Sequence, residues 1–149
     1  MGVPDPEQDG QFYAGVPLRR FVAFLIDSVV IVGIWFVVVF IGFLLTVLTM
    51  GAGLVVAMLL FACSGFLYRW LMLRNRSATL GMIMTGIEVR DHEGEHLDDT
   101  SAALHTAGYY VTVMFPPLML IGWILLATSP YRRAMHDTFM GTVVINRPE

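Results

Sequence analysis

The sequence predicts an all-α polytopic membrane protein. It reads as an N-terminal transmembrane hairpin, a third membrane element broken by proline, and a small cytoplasmic β-like patch. Three observations carry this reading. Hydrophobic residues fill 56% of the 149 positions and charged residues 14%, with mean hydropathy +0.69; soluble domains run near roughly 45–50% and about 25%. Two long apolar runs are separated only by the uncharged stretch TMGAG at 49–53. Two β-branched stretches, TGIEVRD at 85–91 and GTVVIN at 141–146, lie on either side of a third apolar run.

Residues 1–18 hold three prolines and three acids, and so predict a cytoplasmic, mostly disordered arm. The first span runs from about 20 to 48. Its Ser28–Leu48 portion alone is 21 residues without a charge, enough to cross roughly 30 Å of hydrocarbon. It is too long for a secretory signal, Asp27 interrupts it, and no small-residue cleavage site follows. The second span covers about 54–73, with Tyr68 and Trp70 near its far end, where interfacial aromatics belong. So tight a turn makes the two spans an antiparallel hairpin. Arg19 and Arg20 precede it, Arg69, Arg74 and Arg76 close it, and the 49–53 turn has no basic residue. The positive-inside rule places both ends in the cytoplasm.

TGIEVRD predicts a short strand, turning at His92 to Gly94. A helix is expected to start near Ser101, with Asp99, Thr100 or Ser101 as its cap. The third apolar region, about 107–128, contains Pro116-Pro117. It reads either as one kinked span or as a re-entrant hairpin bent at the prolines. A full crossing would put Arg132, Arg133 and Arg147 outside, against the charge rule. Charge, and pairing of the tail with the 86–90 strand, favour the re-entrant form.

An aspartate just inside a span demands an explanation, because an unpaired charge in hydrocarbon costs several kcal/mol. Arg20 lies seven residues before Asp27, about 700° around a helix and roughly 10 Å along it. They share a face but need snorkelling to approach. Arg69 is the expected partner from the second span, and the tail offers Arg132, Arg133, His136 and Asp137.

Three stretches together carry a resemblance: RRFVAFLID, TLGMIMTGIEVRDHEG and YRRAMHDTFMGTVVI. They resemble the RDD family of bacterial membrane proteins over about residues 16–147. The matching positions are Arg20 and Asp27, then Thr79, Leu80, Gly81 and Gly86, then Arg133, His136, Asp137, Gly141 and Thr142. Met82 stands where many members have lysine, and His105 where many have arginine. The resemblance implies a single domain over 19–147. It also implies transport of the cation–proton antiport type.

The charged site expected for an ion or proton is Arg20, Asp27 and Asp137, supported by Arg69, Arg133 and His136. Each has a plainer reading. Asp27 would be a structural ion pair, Arg20 a headgroup anchor, and Asp137 a cap on a short tail helix. His92 and His96 are four apart, as in a helical metal pair, but DHEGEHLDD reads as an acidic loop. His105 reads as a packing residue, and no metal or cofactor site is expected. Cys63 is the single cysteine and reads as a buried small side chain. No nucleophile–base pair or phosphate loop is legible, so the chain is not expected to be an enzyme. The nine basic residues, all arginine, form short clusters and not the broad basic face of a nucleic-acid binder. The expected partners are the lipid bilayer of the bacterial inner membrane and further copies or a larger membrane complex. The function is then an oligomeric ion- or proton-coupled transporter, or a non-catalytic accessory subunit.

Overall fold

The computed structural model describes residues 2–148. Helix α1 spans Val16–Leu48 and α2 spans Gly53–Arg76. At 1.5 Å per residue they are about 50 and 36 Å long, more than the hydrocarbon thickness. Pro17 sits in the first turn of α1, where no amide partner is required of it. The hairpin closes at 49–52, with Gly51 at φ +99°. Small residues set the helix spacing. A methyl group on Gly42 would fall 2.6 Å from the Ala57 Cβ, and one on Gly53 2.8 Å from the Leu45 carbonyl. The apolar side chains of the hairpin mostly point outwards: Phe36 is 75% exposed and Phe40 64%. Such a surface needs lipid around it. Cys63 is exposed on this face, against the buried position expected of it.

Helix α3 (Leu80–Thr85) leads through Gly86, at φ +70°, into strand β1 (Ile87–Arg90). Then come α4 (Asp99–Met114), α5 (Pro116–Thr128), α6 (Met135–Met140) and β2 (Val143–Asn146). The cap of α4 is Asp98, one residue earlier than expected; its carboxylate accepts from the Ser101 amide. β1 and β2 pair antiparallel, with Val89 opposite Val144. One face of this ribbon (Ile87, Val89, Val144) packs with Val16, Leu73 and Leu97. Its other face packs Val143 and Ile145 under Tyr13. Glu88 is buried on that second face and pairs with Arg90 and, at 3.6 Å, with Arg147.

The N-terminal arm differs from the disordered segment expected over 1–18. A single 3-10 turn (Gly10–Phe12) brings Tyr13 down onto β2. The Asn146 side-chain amide donates to the Gln11 and Ala14 carbonyls, and the Tyr13 hydroxyl donates to Pro4 O at 2.7 Å. A two-stranded ribbon has two apolar faces to cover, and the arm covers one of them. Met1, also within the expected arm, lies outside the described residues.

The third element resolves as a folded-back pair. α4 and α5 meet at Phe115 with a bend of 113°. Phe115 precedes Pro116 and takes an extended conformation, φ −112°, ψ 99°, as sterics before proline require. α4 begins beside the end of α2, where Trp70 Nε1 donates to Asp99 Oδ1 at 3.1 Å. The chain leaves α5 beside the start of α1, where Arg20 Nη1 donates to the Arg132 carbonyl at 3.3 Å. Both ends of the pair therefore lie at the same end of the α1–α2 hairpin, as β1–β2 pairing also demands.

Candidate functional site

Asp27 is 3% exposed, and neither Arg20 nor Arg69 reaches it. Its carboxylate accepts from the Tyr68 hydroxyl at 2.8 Å, the Thr79 hydroxyl at 2.6 Å and the Gly81 amide at 2.9 Å. These donors come from α2, the cap of α3 and its first turn. Thr79 Oγ1 also accepts from the Met82 amide and so caps α3. Gly81 is obligatory by space: a Cβ there would lie 2.2 Å from the Ala23 carbonyl. Thr-Leu-Gly is thus a receptor for one carboxylate, with a free helix-start amide facing it. The arginines expected to neutralise Asp27 are replaced by this set of neutral donors.

Arg20 instead turns to the tail. Its Nη2 lies 2.6 Å from Asp137 Oδ2, and the Asp137 side chain has no exposed surface. The same oxygen accepts from the Ala134 amide at 2.9 Å and so caps α6. Gly141, at φ +65°, ends that helix. Thr142 follows, with its Oγ1 3.0 Å from His105 Nδ1. The other Asp137 oxygen faces His136 Nε2 at 3.3 Å and His105 Nδ1 at 3.7 Å. Burial works against charge on Asp137, but Arg20, and then the two imidazoles and the Ala134 amide, hold its carboxyl well below the usual range. Burial pushes the His136 imidazole down to about 4, with Asp137 pulling the other way.

His105, His136 and Asp137 offer donor atoms within 4.8 Å of one another. A divalent ion placed there would sit beside the Arg20 guanidinium, which already holds the carboxylate. The set suits an ion-pair and proton network better than a metal.

Arg69 is 5% exposed. Its guanidinium carbon lies 3.6 Å from the centre of the Tyr109 ring, a close cation–π contact. Tyr109 meets His136 edge-on at 5.7 Å. Arg133 stays apart, stacked 4.7 Å over Tyr131. Between α1, α4 and α5 lies a cavity of about 280 Å³. Arg20, Asp27, Arg69 and His136 reach its wall; most of the remaining lining is apolar.

The expected site residues therefore fall into two separate clusters. Arg20, Asp137 and His136 form one and Asp27 the other; Arg69 bridges towards the first through Tyr109. Sequence reasoning missed the roles of Tyr68, Thr79, Gly81, His105, Tyr109 and Thr142. Thr79, Gly81 and Thr142 sit inside the recurring motifs, which was their available signal.

The spacing of these clusters accounts for the three motifs, and the RDD family model matches residues 14–141. This chain belongs to the RDD family. No curated protein and no solved structure matches it. In this RDD chain Arg20 and Asp137 form one buried pair, and Asp27 belongs to the Thr-Leu-Gly receptor.

Proposed function

We propose that this RDD-family chain is an ion- or proton-coupled transporter that acts as an oligomer in the bacterial cytoplasmic membrane. The observation that carries this reading is the buried Arg20–Asp137–His136–His105 network against the wall of the cavity. Buried ionisable groups beside a cavity that opens towards lipid are costly and are candidates for ion or proton pathways. The geometry supports a route to coupling. While Arg20 holds Asp137, the carboxyl stays charged. A state that separates them removes that cation, and Asp137 then takes a proton with His136 as the adjacent relay. Asp27 lines the same cavity and is the second carboxylate of the proposed site. One hairpin and one folded-back pair do not enclose a pathway, so further copies are required. The hairpin ends, the ribbon and both termini take the cytoplasmic side, because the 49–53 turn carries none of the nine arginines.

A second reading has its own support. Asp27 already accepts three hydrogen bonds, which suits a permanent bolt in a non-catalytic accessory subunit of a larger complex.

Flux separates the two. The purified protein in liposomes with a pH-sensitive dye receives Na⁺, K⁺ or Li⁺ pulses, alongside Asp137→Asn and Asp27→Asn of matched insertion. Transport predicts a cation-dependent pH change that the variants lose. Absence of flux in the wild type, with a large partner copurifying from the membrane, selects the accessory subunit.

A further inference from the structure

We infer that the cavity between α1, α4 and α5 binds the anionic phosphate head of an acidic membrane phospholipid, with Arg69 as its charge partner. The inference concerns occupancy of the cavity and does not require transport.

Arg69 is the starting point. Arginine cannot shed its charge, and a buried cation without a partner costs several kcal/mol. The other deeply buried charges are each accounted for. Asp137 has Arg20, Glu88 has Arg90 and Arg147, and Asp27 has its three neutral donors. Arg69 has the Tyr109 ring beneath it and no ion pair among the described residues, and its Nε finds no acceptor. Its side chain reaches the cavity wall. An oxyanion seated there supplies the missing acceptors, and a guanidinium matches phosphate oxygens with two parallel N–H donors.

The walls choose the rest of the ligand. Phe21, Phe24, Met119 and Trp123 line the cavity and are also 38–43% exposed. The cavity therefore opens through apolar side chains that themselves face lipid. Its volume of about 280 Å³ equals roughly nine water molecules in the liquid. That holds a phosphate group and the first few carbons of a chain, with the remaining hydrocarbon lying in the bilayer outside. A free phosphate ion satisfies Arg69 but leaves the apolar walls uncovered. A zwitterionic head brings an ammonium beside a guanidinium.

The test uses the full chain carrying Trp35→Phe and Trp70→Phe, so that Trp123 is the reporter. It is reconstituted in phosphatidylcholine vesicles, and lipid with brominated chains, as phosphatidylglycerol or as phosphatidylcholine, is titrated in. Brominated phosphatidylglycerol is expected to half-quench Trp123 at a mole fraction about tenfold lower than brominated phosphatidylcholine, a tenfold affinity preference. Arg69→Gln abolishes the preference and Arg69→Lys retains most of it. Val113→Trp with Trp123→Phe fills the cavity, keeps Arg69, and moves the reporter to the lining; it also loses the preference. This second variant keeps the proposal testable if Arg69→Gln does not fold. Equal quenching by both lipids overturns the proposal, as does a preference that survives Arg69→Gln. Reversal of quenching by millimolar inorganic phosphate assigns the site to a soluble anion and also overturns it.

Discussion

Replacing Asp27 by alanine tests the central statement about how this fold is held. The substitution removes the common acceptor of the Tyr68 hydroxyl, the Thr79 hydroxyl and the Gly81 amide. A buried donor left without an acceptor costs about 1–3 kcal/mol. Thr79 and Gly81 are buried where α3 packs on α1. Tyr68 is half-buried, and its hydroxyl finds water more easily. The expected loss is about 4 kcal/mol, out of a total stability that is itself of order 5–15 kcal/mol. Asparagine keeps one acceptor oxygen for Tyr68 and Gly81 and turns its amide towards Thr79 Oγ1. It loses the charge assistance and the acceptor of the Thr79 hydroxyl, about 1–3 kcal/mol. The measurement is reversible unfolding of the purified chain in mixed micelles, followed by circular dichroism. A double-mutant cycle with Thr79→Val isolates the contact, with an expected coupling of about 1–2 kcal/mol. An Asp27→Ala loss below about 1 kcal/mol, or no coupling to Thr79, would refute the bolt and return Asp27 to a free carboxylate in the cavity.

Three further outcomes follow from the same geometry. Arg20→Met strands a fully buried carboxylate at Asp137; it should cost about 3–5 kcal/mol in the same unfolding assay, and adding Asp137→Asn should restore part of that loss. Stability should fall on acidification in two stages, because folded-state pKa values held below their ordinary ones favour proton uptake by the unfolded chain. His136, ordinarily 6.5 and pushed to about 4, acts between those values and accounts for about 3 kcal/mol in all. Asp137 acts below its ordinary 3.8, and His136→Phe should reduce the first stage, to which buried His105 also contributes, in unfolding followed from pH 8 to pH 3. In a Cys63→Ala background, a membrane-impermeant maleimide applied to intact cells should label Ala52→Cys at once, but Glu93→Cys and Pro130→Cys only after lysis; labelling of Pro130→Cys on the same side as Ala52→Cys would make α4–α5 a full crossing.

The sequence by itself determined the elements whose signals are local. Uninterrupted apolar length set the two spans, because hydrocarbon thickness demands it. TMGAG fixed the antiparallel hairpin, and the β-branched runs at 85–91 and 141–146 marked both strands. Pro116-Pro117 located the break in the third element, since proline removes an amide and constrains the residue before it. Only the tertiary structure decided which charge meets which. Arg20 and Asp27 share a helical face, so their spacing suggested a pair. Folding brought α6 within reach of Arg20 and α3 within reach of Asp27, and each bonded to the nearer group. Contacts between residues 52 to 117 positions apart leave no periodicity in the chain. The same is true of Arg69, which the sequence suggested as a partner for Asp27. Its burial against Tyr109, beside a cavity, exists only once α2, α4 and α5 have packed. The N-terminal arm makes the point in reverse. Its composition is that of a disordered segment, yet the exposed face of a two-stranded ribbon gave Tyr13 an apolar surface to cover.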